Sequence, residues 1–241
     1  MGRAFEYRKA RKFKRWDAMS RQFSRLGKEI VMAVKQGGGA DLSANGKLRI
    51  VIQNAKAINM PKDRIEAAIK RATSKEEKDY EEVVYEGYAP HGIAVVVECA
   101  TDNSTRSVAN VRMYFTRSGG SLGKTGSLDF LFDRKACFTL SAQQVKLEDV
   151  ELDLIEFGAD DIETEGDDIF VYTRFEDFGK MQKGLEDLKI PVVSAELQRL
   201  PQNTTKLSPE ATKEVLDLID KIENDDDVQN VFHNLDMSDV E

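Results

Sequence analysis

The spacing of apolar residues changes once along this chain, near residue 79, and the change predicts two kinds of structure. Before it, apolar residues recur every three or four positions, which is typical of amphipathic helices. After it, short apolar runs between turn residues are typical of strands. The helical stripes run from Trp16 to Val34, from Leu48 to Ile58 and from Pro61 to Ala72. We therefore expect a three-helix unit in residues 1–78.

A second pattern lies in residues 135–200. Its predicted elements follow the order strand, helix, strand, strand, helix, strand, at 137–140, 144–157, 161–163, 169–173, 175–188 and 192–200. This order is the ferredoxin-like arrangement. Before it we predict strands at 83–85, 93–99 and 128–132 with a helix starting near 102–104, and after it a helix at 209–223 and a strand at 228–232.

These flanking elements indicate one further α+β domain, residues 79–134 plus 201–241, into which the ferredoxin-like domain is inserted. The predicted fold class is therefore α+β, with a helical N-terminal domain followed by two α+β domains.

The charge of the chain is distributed unevenly. The 241 residues carry a net charge of −8, but residues 1–75 hold 19 Lys and Arg against 6 Asp and Glu, a net charge of +13. The remaining residues carry −21. This asymmetry favours a basic module that binds a polyanion, attached to an acidic body that a polyanion would repel.

The candidate nucleic-acid-binding residues are the Lys and Arg side chains of this module, which can contact phosphates. Six of them lie in an N-terminal arm: Arg8, Lys9, Arg11, Lys12, Lys14 and Arg15. Eight more lie on the predicted helices: Arg21, Arg25, Lys47, Arg49, Lys62, Arg64, Lys70 and Arg71. Aromatic residues interleave with the arm, where they can stack on bases or pack on the helices. No zinc-finger or RNP signature accompanies these residues.

The stretch SGGSLGKTGSLDF, residues 118–130, contains the Gly-Lys-Thr of an ATP-binding loop. The phosphate loop needs its first glycine where this chain has Ser118, and it needs a strand before it and a helix after it. Here a predicted helix precedes the stretch and a predicted strand follows it. We interpret the stretch as a turn in which Gly119-Gly120 ends the helix.

Two acidic stretches invite a metal interpretation. Residues 161–172 place Asp and Glu at alternate positions, but Tyr172 stands where a calcium loop needs its bidentate Glu. We predict an acidic hairpin there, and a loop between helix and strand at Asp225-Asp226-Asp227. We expect neither a metal nor a cofactor.

Little in the sequence indicates an enzyme. Cys99 and Cys137 lie alone in apolar runs, and His91 and His233 lie far apart. A hydrolase whose groups meet only in space remains an alternative.

No stretch approaches the about 20 apolar residues of a membrane span. We expect a cytoplasmic monomer without membrane contact.

Five stretches of the chain resemble, in order, the signatures of the YebC family. They are KRWDAMSRQFSRLGKEIVMAVKQGGG, NAKAINMPKDRIEAAIKRA, YEGYAPHGIAVVVECATDNSTRSVANVR, SGGSLGKTGSLDFLF and DDVQNVFHN. The resemblance implies a helical N-terminal domain and two α+β domains, one inserted in the other. The beginning departs from the Gly-His-Ser-Lys-Trp of many members, because Trp stands here at position 16.

The resemblance also implies a function. Family members are described as transcriptional regulators that bind DNA. A mitochondrial relative is a translational activator of cytochrome c oxidase, and bacterial members are linked to ribosomes stalled on proline-rich sequences. We therefore expect a non-enzymatic nucleic-acid-binding regulator, and DNA, ribosomal RNA and the ribosome all stay open as partners.

Overall fold

The computed structural model describes residues 19–74 and 79–238, which contain seven α-helices and eight β-strands. The strands form two four-stranded sheets. The predicted α+β class is therefore confirmed. The basic arm, with Arg8, Lys9, Arg11, Lys12, Lys14 and Arg15, lies outside the described residues, as does Trp16.

The N-terminal helices pack around one apolar core. They are α1 (Met19–Gln36), α2 (Gly46–Ala57) and α3 (Lys62–Ala72). The stripe residues Ile30, Leu48 and Ala68 are fully buried, as their spacing predicts. Asn45 joins two of the helices, because its side chain accepts a hydrogen bond from Leu48 N at the start of α2 and donates one to Ala33 O near the end of α1.

The first sheet has the antiparallel order β3-β1-β2-β8. Its strands are β1 (Glu81–Tyr88), β2 (Ala94–Thr101), β3 (Ser121–Leu122) and β8 (Val228–His233). Helices α4 (Ser104–Arg117) and α7 (Pro209–Glu223) contribute Phe115 and Leu218 to a core shared with Val97 of β2. Strand β8 thus returns to the sheet that begins at β1, as the sequence predicts.

The second sheet lies in the chain between β3 and α7. Its strands are β4 (Phe132–Ser141), β5 (Ala159–Glu165), β6 (Asp168–Arg174) and β7 (Val192–Pro201), in the order β5-β6-β4-β7. Helices α5 (Leu147–Glu156) and α6 (Phe178–Asp187) complete the ferredoxin-like pattern. Between β5 and β6, Gly166 takes a φ of +61°, so the acidic stretch that resembled a calcium loop is a hairpin.

The predicted strand at 128–132 is wrong. Residues Asp129–Leu131 form a 3-10 turn, and β4 begins only at Phe132. The cause is a buried carboxylate: Leu128 N donates to Glu86 Oε2 at 2.7 Å instead of to a neighbouring strand. Two predicted helices also begin later than expected, at Leu147 and at Phe178.

Helix α2 covers the free edge of the second sheet. The side chain of Asn54 donates to Ala195 O at 2.8 Å and accepts from Ala195 N at 2.9 Å, as a neighbouring strand would. Ile50 of α2 is buried in the core of the same sheet. An exposed edge strand is prone to pair with other chains. Here the Asn54 side chain takes up hydrogen-bonding groups of the edge strand that would otherwise be open to such pairing. The basic helices are thereby held against the inserted unit.

Candidate nucleic-acid interface

The predicted basic residues on the helices fall into two groups, according to what surrounds them. One group faces the two sheet-containing units and is engaged in contacts within the chain. The other group lies on the outer surface of α3.

Three cations of α1 contact the carboxyl end of α7. Arg21 Nη1 donates to Asn224 Oδ1, and Arg25 Nη2 donates to Glu223 O at 2.8 Å. Lys28 Nζ donates to Asp226 O at 2.7 Å. Carbonyl groups at a helix carboxyl end carry partial negative charge, and cations placed there are stabilising. Arg21 and Arg25 are therefore part of a contact between α1 and α7.

Lys28 also contacts a buried carboxylate, Asp227, whose residue is only 4% exposed. Asp227 accepts hydrogen bonds from the Arg106 guanidinium at 2.7 Å, Ser107 Oγ at 2.8 Å and Thr101 Oγ1 at 3.1 Å. Burial opposes ionisation of this carboxyl, but the donors from Arg106 and Ser107 and the charge of Lys28 outweigh it and hold its pKa below the ordinary value.

The neighbouring Asp225 lines a cleft of about 610 Å³ between α1, α4 and the loop before β8. It accepts hydrogen bonds from Asn110 Nδ2 at 2.9 Å and from Tyr114 Oη at 3.1 Å. Burial and this carboxylate raise the pKa of Tyr114. Among the described residues, no group of three or more His, Cys, Asp or Glu could hold a metal ion. We assign the Asp225–Asp227 cluster to the contact between the units.

Two cations of α2 are also paired. Lys47 Nζ lies 3.5 Å from Glu82 of β1, and Arg49 Nη2 lies 3.0 Å from Glu186 of α6. On α1, burial raises the pKa of Glu29 to about 7, and the nearby carboxylates of Glu196 and Glu82 add to the shift. Much of the positive charge on α1 and α2 is thus balanced by the acidic units.

Helix α3 differs from α1 and α2. Its four cations, Lys62, Arg64, Lys70 and Arg71, are all exposed. Within the described part of the chain, one of these four side chains forms an ion pair: Lys62 Nζ lies 3.5 Å from Glu66 of the same helix. An exposed pair of this kind contributes at most about 1 kcal/mol, so it leaves Lys62 available to a phosphate. Helix α3 therefore presents a basic surface to solvent.

A groove of about 340 Å³ runs between α1 and α3 beside this surface. Its walls carry Phe23 and Gly27 from α1 and Arg64, Ala67 and Arg71 from α3. The Arg64 guanidinium lies 5.6 Å from the centre of the Phe23 ring, within the range of a cation–π contact. The α1–α3 groove thus places arginines and an aromatic ring together.

Several backbone amides in the stretch around Gly-Lys-Thr are occupied by contacts within the chain. Gly119 has a φ of +80° and ends α4, as the sequence predicts. Glu86 is 2% exposed, and its carboxylate accepts from Gly126 N at 2.8 Å as well as from Leu128 N. These amides therefore hold the chain's own carboxylate in place of the phosphate that a nucleotide-binding loop would hold.

The two cysteines are buried. Burial, with the nearby carboxylates of Asp225 and Asp227, raises the pKa of Cys99 to about 12. A thiol acts as a nucleophile in its deprotonated form, so this environment disfavours such a role for Cys99.

The comparisons with known proteins agree with the division of the chain into a helical part and a part with two sheets. Residues 3–75 match the family model described as the TACO1/YebC protein N-terminal domain. Residues 80–235 match the model described as the TACO1/YebC second and third domain. The chain belongs to the TACO1/YebC family. The resemblance inferred from the sequence is therefore confirmed.

Relatives of this family member are similar over almost their whole length. A protein of Cytophaga hutchinsonii, named "Probable transcriptional regulatory protein", is 59% identical over 235 residues, which are 98% of each chain. A protein of the same name from Parabacteroides distasonis is 52% identical over 242 residues, 100% of this chain and 99% of the relative.

Among solved structures, a conserved hypothetical protein of Aquifex aeolicus superposes with a TM-score of 0.75 at 37% identity, over 90% of both chains. It shares the fold of this TACO1/YebC family member. In the described residues, no helix is long and apolar enough to cross a membrane.

Proposed function

We propose that this TACO1/YebC protein is a non-enzymatic regulator that binds nucleic acid through α3 and acts on transcription. The observation that carries the proposal is the basic surface of α3, where Lys62, Arg64, Lys70 and Arg71 are exposed to solvent. Nucleic-acid binding that depends on phosphates needs cations free to displace counterions.

Two further observations support this proposal. Close relatives carry the name of a transcriptional regulatory protein. The rest of the chain is acidic and would be repelled by a phosphate backbone, so it would orient α3 towards the nucleic acid. In this proposal the protein is located in the cytoplasm, as a monomer.

The second candidate is a ribosome-associated translation factor that binds ribosomal RNA, with relief of stalls at proline-rich sequences as its role. The α1–α3 groove favours it, because aromatic and arginine side chains beside a cationic helix suit unpaired bases. Phosphate contacts alone serve promoter DNA and ribosomal RNA equally.

The experiment measures affinity against salt concentration for the wild type and for a variant with four substitutions in α3, Lys62→Gln, Arg64→Gln, Lys70→Gln and Arg71→Gln. Glutamine keeps the helix propensity and removes the charge. We expect the affinity for duplex DNA to fall about hundredfold at moderate salt, since each phosphate contact contributes about −0.9 to the slope of log affinity against log salt. The slope should become shallower by about 3 to 4.

The matched control removes four exposed cations from the acidic units, with Arg112→Gln, Lys183→Gln, Lys213→Gln and Lys221→Gln. Its net charge equals that of the α3 variant, so a purely global charge effect would weaken binding equally in both. Equal affinities of the two variants would reject α3 as the binding surface. Ribosome co-sedimentation of the wild type and both variants then separates the two candidate functions. If the protein acts on the ribosome, the wild type should co-sediment with ribosomes and the α3 variant should not.

A further inference from the structure

The α1–α3 groove is built from two helical stripes that face each other across solvent. On α3, Arg64, Ala67 and Arg71 are spaced by three and four residues, so they lie on one face of the helix. On α1, Phe23 and Gly27 lie on the face opposite them, also one turn apart. Small residues therefore stand in the middle of both walls, and larger side chains stand at the ends.

Gly27 lies in the α1 wall of the groove. It lies in the middle of the 18-residue helix α1, where glycine is less favourable than alanine. Among the described residues, a Cβ at this position would meet only Arg71 Nη2, at an ordinary contact distance of 3.6 Å, so the side chain of alanine would fit here. Glycine at this position leaves the α1 wall of the groove without a side chain.

The floor and rim of the groove differ in chemistry. Met60 and Val31 are buried and line the floor. Among the described residues, the charged groups of the lining are Arg64, Arg71 and Lys28, which is paired with Asp227, and none is a carboxylate. An occupant should therefore combine a flat apolar face with negative charge.

Among the described residues, two ring–cation pairs lie at the groove, Arg64 with Phe23 and Lys28 with Tyr80, the latter at 5.3 Å. Nucleobases stack on aromatic rings and on arginine planes, and this recognition needs bases that are not paired in a duplex. Arg64 and Arg71 lie about 10 Å apart along α3, two helical turns, so their side chains can reach phosphates on both sides of one nucleotide. The volume of about 340 Å³ lies within the range of small-ligand sites.

We propose that the α1–α3 groove holds one unpaired nucleotide of a single-stranded nucleic acid, with the base on the floor beside Phe23 and Tyr80 and the flanking phosphates on Arg64 and Arg71. This inference rests on the proposed nucleic-acid binding and adds to it the class of ligand and the place of the base. Helix α3 alone would contact phosphates of any nucleic acid, whereas the groove selects single strands.

The test fills the groove from either wall with Gly27→Leu or Ala67→Leu and measures binding by fluorescence anisotropy. The probes are labelled oligouridylate and oligothymidylate of about 12 nucleotides, a length within the site sizes of single-strand binders, and a duplex of the same length. Because one stacked base is lost, we expect either variant to bind both single strands about tenfold more weakly or worse. Binding to the duplex should change less than twofold.

The matched control is Gly179→Leu, which introduces the same side chain at another helical glycine, on α6, where a Cβ would meet no atom of the described residues within 4 Å. It should bind all three probes like the wild type. Thermal unfolding of each variant shows whether it is folded. Because Gly27 and Ala67 lie on different helices, weaker binding by both folded variants points to the groove they share.

The outcomes separate the groove from the proposed function. If both folded groove variants bind single strands like the wild type while the fourfold α3 variant does not, the groove inference is wrong and the proposed function stands. If the α3 variant also binds normally, both are wrong. A loss confined to oligouridylate assigns the groove to RNA, and a loss for both single strands assigns it to unpaired bases in general; each of these results supports the inference.

Discussion

Helices α1 and α3 are neighbours in one small domain and are both basic, yet their cations have different surroundings. Arg21, Arg25 and Lys28 of α1 contact the carboxyl end of α7 and the loop that follows it. The cations of α3 face solvent. The difference follows from position, because α1 lies against the acidic first-sheet unit and α3 does not. Positive charge in a sequence therefore indicates that a partner exists, but the partner can be the protein itself.

The two surfaces also differ in energetic role. Asp227 is buried, so its contacts with Lys28 and Arg106 stabilise the fold only as long as all partners are present. An exposed cation costs little to remove, since surface substitutions usually change stability by about 0.5 kcal/mol or less. Substitutions at the α1 contact should therefore change stability, whereas substitutions on α3 should change binding.

The largest effect on stability is expected for Asp227→Ala. This substitution removes the carboxylate that accepts from the buried hydroxyls of Ser107 and Thr101 and that pairs with Lys28, while Arg106 keeps its second partner, Asp102. We expect a loss of about 3 kcal/mol in the free energy of unfolding, measured by urea denaturation, somewhat reduced because the Arg106 side chain is 46% exposed and can be hydrated.

The matched control for this substitution is Asp226→Ala, in the same loop, where the side chain is exposed and Lys28 contacts only the backbone carbonyl. It should change the free energy of unfolding by about 0.5 kcal/mol or less. Equal destabilisation by the two substitutions would show that the loop, rather than the buried carboxylate, holds α1.

The acid dependence of stability should follow the same carboxylate. The folded-state pKa of Asp227 is lowered, so its contribution is present above the ordinary carboxyl range and is lost as the pH falls through the folded pKa. Wild-type stability should therefore decrease below about pH 4, and Asp227→Ala should weaken this dependence. A variant whose acid unfolding curve has the wild-type slope would contradict this.

The smallest effect is expected for Lys124→Ala in the Gly-Lys-Thr loop. Lys124 is exposed, and the amides around it are organised by Glu86. Nucleic-acid affinity and stability should stay at the wild-type level, and no ATP or GTP hydrolysis should be measurable in either protein. Nucleotide turnover that Lys124→Ala abolishes would overturn the interpretation of this loop as structural.

Much of the fold can be predicted from the sequence because its signals are local. Short segments carry these signals: the apolar stripes that contain Ile30 and Leu48, the glycines after Gln36, and the strand–helix order of residues 135–200. The error at 128–132 has a long-range cause. Glu86 accepts hydrogen bonds from amides of a loop about 40 residues later in the chain, and nothing in residues 128–132 indicates this contact.

The candidate site could be predicted only in part, for the same reason. Composition identifies the basic module, but it does not separate the cations of α1 from those of α3. The sequence indicates only that Asp227 belongs to an acidic loop, because its partners Arg106 and Ser107 lie about 120 residues earlier in the chain. The groove between α1 and α3 forms only when the two helices pack together, so no short segment of the sequence predicts it.

Photo-crosslinking of a thiouridine-containing oligonucleotide to the full chain, with the adducts mapped by mass spectrometry, tests most directly whether α3 and the α1–α3 groove form the nucleic-acid surface. Within residues 19–74 and 79–238, we predict adducts at Phe23, at Tyr80 and along Lys62–Ala72, and none at the α1–α7 contact. Adducts concentrated on α4, on the Asp225–Asp227 loop or on the second sheet, with α3 unlabelled, would contradict the assignment of nucleic-acid binding to α3 and the α1–α3 groove.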